Sequence, residues 1–223
     1  MKENLFVRSI KTFNPCLMHT TLLDFVYFMI FFAIGIAASV LLTIAFDYSG
    51  GSYALFVLYI ILITVAAYSL IVLNMAFFKN IVWNITLNEK RRFKGFLIFT
   101  AIWTLPWLVI FYLMRNTLPE QLQIFILTAY ALIYLHFTAI ARLSYKKSVK
   151  KAFLNAFEIG FWKFPRFAVP YLLILAVVWV TSFLTSFFVY IGTTVFIVVS
   201  VAAFFTILAW SRYYISLIYS KIK

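Results

Sequence analysis

Six long apolar runs, separated by connectors that alternate in charge, limit this chain to a bundle of membrane-crossing helices. Crossing a hydrocarbon core of about 30 Å takes about 20 residues at about 1.5 Å each. The runs fall at Leu22–Phe46, Tyr53–Phe78, Gly95–Met114, Leu122–Ala141, Ala168–Tyr190 and Thr194–Tyr219. Composition agrees. The chain is 65% hydrophobic and 11% charged, with a mean hydropathy of +1.03, where a soluble domain is roughly 45–50% apolar and about 25% charged.

Three connectors are short and turn-like: Asp47–Ser52, Arg115–Gln121 and Ile191–Thr193. Gly50, Gly51 and Pro119 suit tight reversals there. The other segments are basic. The N-terminal tail has Lys2, Arg8 and Lys11. The second-to-third connector has Lys79, Lys90, Arg91, Arg92 and Lys94, and the fourth-to-fifth has Arg142, Lys146, Lys147, Lys150, Lys151, Lys163 and Arg166. Arg212, Lys221 and Lys223 close the chain. Of its 19 Lys and Arg, only Arg115 falls on the other side. The positive-inside rule then puts both termini in the cytoplasm. The expected fold is all-α: one membrane domain over residues 1–223, with six transmembrane helices as three hairpins. It divides into a basic tail (1–21), helices 1–4 (22–141), a basic connector (142–167) and helices 5–6 with the tail (168–223).

The net charge of +13 would suggest nucleic acid in a soluble protein. Beside membrane spans, attraction to anionic headgroups explains it, and no nucleic-acid partner is expected. The first run, about 25 residues, is too long for the 7–15-residue core of a cleaved signal. Asn84-Ile85-Thr86 fits a glycosylation sequon but falls on the cytoplasmic side, so it reads as a chance match.

In Lys147–Phe164 the positions Val149, Ala152, Phe153, Ala156, Phe157, Gly160, Phe161 and Phe164 form a helical stripe. Lys147, Lys150, Lys151, Asn155 and Glu158 fall opposite. This predicts an amphipathic helix at the membrane surface, phenylalanines in the acyl boundary and lysines among headgroups. It could anchor the next span or dock a partner such as a transporter ATPase. Phe6, Ile10, Phe13 and Leu17 repeat the theme weakly, with Pro15 expected to end any helix. Lys90, Arg91, Arg92 and Lys94 form a compact basic cluster suited to topology or anionic lipid. With Lys147, Lys150, Lys151, Lys163 and Arg166 they make the candidate lipid- or partner-binding face.

Ionisable residues inside spans are candidate functional groups. Asp24, Asn74, His136, Arg142 and Arg212 all lie in the cytoplasmic third by direction of travel. Either Asp24 meets Arg142 or Arg212, flanked by Asn74 and His136, or each side chain reaches the headgroups separately. Pro106 predicts a kink in the third span. Ala33, Gly35 and Ala37, and likewise Thr181, Ser182, Thr185 and Ser186, predict close helix packing. No clustered His, Asp and Glu, phosphate loop or nucleophile elbow is present in the sequence. No cofactor or metal ligand set is therefore assigned.

The segment ARLSYKKSVKKAFLNAFEIGFWKFPRFAVPYLLIL resembles a basic "KKAF" approach to a span. That pattern occurs in prokaryotic six-helix membrane proteins similar to the membrane domain fused to some glycerophosphodiester phosphodiesterases. The soluble catalytic domain of those proteins is absent here, so the resemblance implies a membrane module without assigned chemistry. Three functions follow in order: a non-catalytic multi-pass protein of the cell membrane working through lipid and membrane-protein partners, a small-solute transporter or its permease subunit, and an intramembrane lipid enzyme.

Overall fold

The computed structural model describes residues 5–11, 15–50, 52–88, 92–145 and 148–222. Among them are eight α-helices: α1 (Leu5–Lys11), α2 (Pro15–Tyr48), α3 (Tyr53–Leu87), α4 (Phe93–Thr117), α5 (Glu120–Ser144), α6 (Val149–Trp162), α7 (Phe164–Ser186) and α8 (Thr193–Ile222). A 3-10 turn, Phe187–Tyr190, extends α7, and no strand occurs among the described residues. Six helices (α2, α3, α4, α5, α7 and α8) are long and apolar enough to cross a membrane. They pair in sequence as three hairpins, α2 with α3, α4 with α5 and α7 with α8.

Two boundaries differ from the sequence reading for clear reasons. Pro15 starts α2 instead of ending a helix, since its missing N–H is no loss in a first turn. The second span runs nine residues past Phe78 to Leu87. Val82 and Trp83 are buried there, and tertiary packing carries the helix past Lys79 and Asn80.

The hairpin tips lie at one end, called here the far end; the basic segments gather at the other. Gly50, with φ of 54°, makes the left-handed turn between α2 and α3. Ser49 secures it, its hydroxyl donating to the Phe46 carbonyl at 2.8 Å. Pro106 sits within α4, which stays continuous through it. Tyr68 donates to the Ala101 carbonyl at 3.0 Å and Tyr130 to that of Trp107, so neighbouring helices hold the backbone around the proline.

Buried side chains concentrate towards the basic end: Val72–Trp83 of α3, Phe96–Thr104 of α4, His136–Ser144 of α5 and Phe205–Ile222 of α8. The far halves carry exposed Ile36, Phe46, Leu62, Phe125, Trp179 and Phe204, the surface a lipid solvent would cover. The small face of α2 is among this surface. Ala33, Gly35 and Ala37 are exposed, and a Cβ on Gly35 would meet nothing within 4 Å. No helix among the described residues packs closely on that face. Of the corresponding α7 group, Thr185 alone is buried.

α8 is the hub, touching α1, α2, α3, α5 and α7. α1 is held on it by edge-to-face contacts of Phe6 with Trp210 and Tyr214, and by the Trp210 indole donating to Ser9 Oγ at 3.1 Å. Ser144 and Tyr219 join α5 to α8 through their hydroxyls at 2.8 Å.

Candidate functional site

Asp24, on α2, is completely buried, and both carboxylate oxygens are engaged. Lys79 Nζ of α3 donates to Oδ1 at 2.6 Å, and Arg212 Nη2 of α8 donates to Oδ2. The cationic side chains are only 10% and 8% exposed. Three helices far apart in sequence thus close on one carboxylate. Burying a charge is tolerable only with a partner and hydrogen bonds, and here one anion serves two cations.

Aromatic faces line the rest of the cluster. Lys79 Nζ lies 4.4 Å from the Tyr27 ring centroid and 5.8 Å from that of Phe28, both one turn along α2 from Asp24. The Arg212 guanidinium lies 5.9 Å from the Trp83 ring. The negative ring faces attract these cations. Asn74 stands just inward on α3, its Nδ2 donating to the Tyr27 carbonyl at 3.2 Å and so bracing that turn. With two cations against one anion, the three side chains carry net positive charge.

The expected grouping of polar residues is therefore partly met. Asp24 pairs with Arg212, and Asn74 flanks the site through the Tyr27 carbonyl. His136 is elsewhere. Its Nε2 faces the Gly160 carbonyl at 3.1 Å and its Nδ1 the Tyr171 hydroxyl at 2.7 Å. The carbonyl can only accept, so Nε2 carries the proton and, in the neutral ring, Nδ1 accepts from Tyr171. Phe137, Phe164, Phe167 and Tyr171 surround the imidazole with ring edges. His136 is a rivet joining α5, α6 and α7.

α6 begins after Ser148, whose Oγ caps it by accepting from the Lys151 amide. Its small residues are turned towards protein, while Phe157, Phe161 and Phe164 of the stripe stay exposed. Ala152, Ala156, Ile159 and Gly160 are buried, and Phe153 meets Trp103 at 4.8 Å between ring centroids. Phe157 and Phe161 meet Phe137 at 5.4 and 5.0 Å. Gly160 is needed for this fit, because a Cβ there would sit 2.5 Å from Phe137 Cε1. Lys150, Lys151 and Glu158 stay exposed on the other side. Of the remaining basic face, Arg92, Lys94 and Arg166 are exposed, while Lys163 donates to the Ile222 carbonyl at 3.0 Å. Lys90, Arg91 and Lys147 lie outside the described residues.

Lys79 is the residue the sequence reading misplaced, assigning it to a connector. The available signal was the apolar pattern resuming at Ile81, Val82 and Trp83, which keeps Lys79 inside a helix.

Chemically the cluster offers cationic recognition. Among the described residues no group of three His, Cys, Asp or Glu could hold a metal ion. Two shallow grooves among the described residues are apolar. One of about 470 Å³ lies between α2, α3 and α4 (Ile30, Leu73, Asn74, Phe77), and one of about 230 Å³ between α1 and α7 (Phe6, Val177, Thr181). Comparisons with protein families, curated proteins and solved structures find no match.

Proposed function

We propose that this multi-pass membrane protein is non-catalytic and acts at the cytoplasmic face of the cell membrane, through anionic lipid headgroups and membrane-protein partners. The observation that carries the reading is the buried, net-positive Asp24–Lys79–Arg212 cluster at the end where the basic residues gather. Exposed Arg92, Lys94, Lys150, Lys151 and Arg166 at that end suit the negative surface potential of a cytoplasmic leaflet. Each contributes about 1 kcal/mol near such a surface.

Purification of the full chain in mild detergent, followed by mass spectrometry of bound lipids and proteins, tests this. Enrichment of anionic lipid over its membrane proportion, or a stoichiometric membrane-protein partner, is expected. Recovery alone, with lipids in bulk proportion, refutes it. Orientation is tested separately. In a Cys16→Ser background, Lys150→Cys should resist an impermeant maleimide added to intact cells, whereas Gln121→Cys should react. The opposite pattern overturns the cytoplasmic assignment.

A second reading, the membrane subunit of a transporter, draws on α6. One face is locked onto α4 and α5 while Lys150, Lys151, Leu154 and Glu158 remain exposed, a rigid platform for a cytoplasmic ATPase. An ATPase that co-purifies, and is lost on reversing the charge of Lys150 and Lys151, would favour it.

A further inference from the structure

We infer that the positive cluster binds one phosphate oxyanion, received by Arg212 Nη1 and Trp83 Nε1. The inference rests on the reading that the basic end lies in the headgroup layer. Both nitrogens are buried, and neither has a hydrogen-bond partner among the described residues. Each is a donor only, so each requires an acceptor. They belong to neighbouring side chains, since the Arg212 guanidinium lies 5.9 Å from the Trp83 ring. Orphaned buried donors in a native structure call for an acceptor, which the described residues do not supply.

Charge identifies the acceptor. Asp24 balances one of Lys79 and Arg212, and the other cation remains in excess. A water molecule would satisfy the donors but leave this excess charge in place. An anion does both.

Depth identifies which anion. Counting about 20 residues, the span of a hydrocarbon core, from the far ends at Tyr48, Tyr53, Glu120 and Thr193 reaches Phe28, Leu73, Ile140 and Tyr213. Asp24 and Lys79 stand four and six residues beyond those points, about 6–9 Å further on at about 1.5 Å per residue. Trp83 stands ten residues beyond, about 15 Å, and Arg212 at the boundary itself, so their side chains bracket the depth of Asp24 and Lys79. The cluster therefore sits where lipid phosphates lie. Guanidinium and indole N–H groups pointing at a phosphate make charge-assisted hydrogen bonds. The oxyanion is that of a phospholipid headgroup or of free phosphate.

The test uses the full chain in phosphate-free maltoside micelles, titrated separately with phosphatidylglycerol, phosphatidylcholine and inorganic phosphate. Binding is followed by native mass spectrometry and ³¹P NMR. One saturable site is expected, with phosphatidylglycerol preferred over phosphatidylcholine if the source is lipid, and inorganic phosphate binding if it is not. Trp83→Phe keeps a ring but removes the donor, and should weaken binding about tenfold, the worth of one hydrogen bond to a charged group. Arg212→Lys keeps a cation for Asp24, loses Nη1, and should weaken it at least as much. If Arg212→Lys does not fold, Trp83→Phe decides. Absence of saturable binding from every source, or unchanged affinity in Trp83→Phe, overturns the site. Selective anionic lipid that Trp83→Phe retains sinks this site and leaves the lipid-partner reading standing. Phosphate binding lost in Trp83→Phe, without selective lipid, does the reverse.

Discussion

Replacing Asp24 by Asn should be among the most damaging single substitutions in the chain. The change is nearly isosteric, so packing is conserved and the effect is electrostatic. Lys79 and Arg212, 10% and 8% exposed, would lose their shared counter-charge while remaining too buried for water to compensate. Removing one partner of a buried pair typically costs about 3–5 kcal/mol. The low exposure places Asp24→Asn in that range, above the roughly 1 kcal/mol ceiling for exposed pairs. Lys79→Met is the contrasting variant. It removes the surplus cation, leaves Asp24 paired with Arg212, and puts a flexible apolar chain against Tyr27 and Phe28. Its losses are the hydrogen bond to Asp24 Oδ1, about 1.5–3 kcal/mol, and the cation–π contact, about 1–2 kcal/mol, both partly offset by no longer burying an ammonium. Combining the two should be less harmful than the sum of the singles, with a coupling of about 1–3 kcal/mol. Denaturant unfolding in maltoside micelles, followed by tryptophan fluorescence, measures all three. Asp24→Asn within about 1 kcal/mol of the parent protein, or Lys79→Met equally harmful, would refute the one-anion, two-cation account.

Three further outcomes test the packing. Gly160→Ala should destabilise the chain by about 1–3 kcal/mol through overlap with the Phe137 ring, and faster amide exchange in α6 would report it. His136→Leu removes the acceptor of Tyr171 and the donor to Gly160. It should cost about 1–3 kcal/mol for each buried group left unpaired and loosen α6 and α7 together; unchanged exchange in both would dismiss the rivet. Gly35→Leu should be tolerated within about 0.5 kcal/mol, because a Cβ there meets nothing within 4 Å. A large loss, or a changed oligomeric state on size-exclusion chromatography, would reveal a partner on that face.

The six spans were legible because each run exceeds the length that lipid demands. Their ends were not. Hydropathy stops at a charge, but a helix does not, and Lys79 with its nine-residue extension was lost at that point. The rarity of charge in spans pointed to Asp24 and Arg212, yet the choice between Arg212 and Arg142 depends on which helices surround α2. No local pattern encodes a partner 188 residues away.

The periodicity of α6 exposes the same limit from another side. A repeat near 3.6 marks a face that avoids water, and protein and lipid satisfy it equally. Composition within the stripe holds the discriminating detail. Ala152, Ala156 and Gly160 recur every fourth residue, giving a groove into which α5 fits closely. A lipid-facing stripe has no need of small residues, since acyl chains fill whatever shape they meet. The same small-residue argument fails at Gly35, where nothing packs. The difference is the neighbour: Gly160 is opposite Phe137, a large ring on the adjoining helix, whereas the face around Gly35 opposes no helix among the described residues. A small residue thus marks an interface only where a bulky partner is placed to use it. That placement follows from the hairpin order and from α8 drawing the basic ends together, which is why the charged cluster and the α6 rivet form at the same end of the bundle.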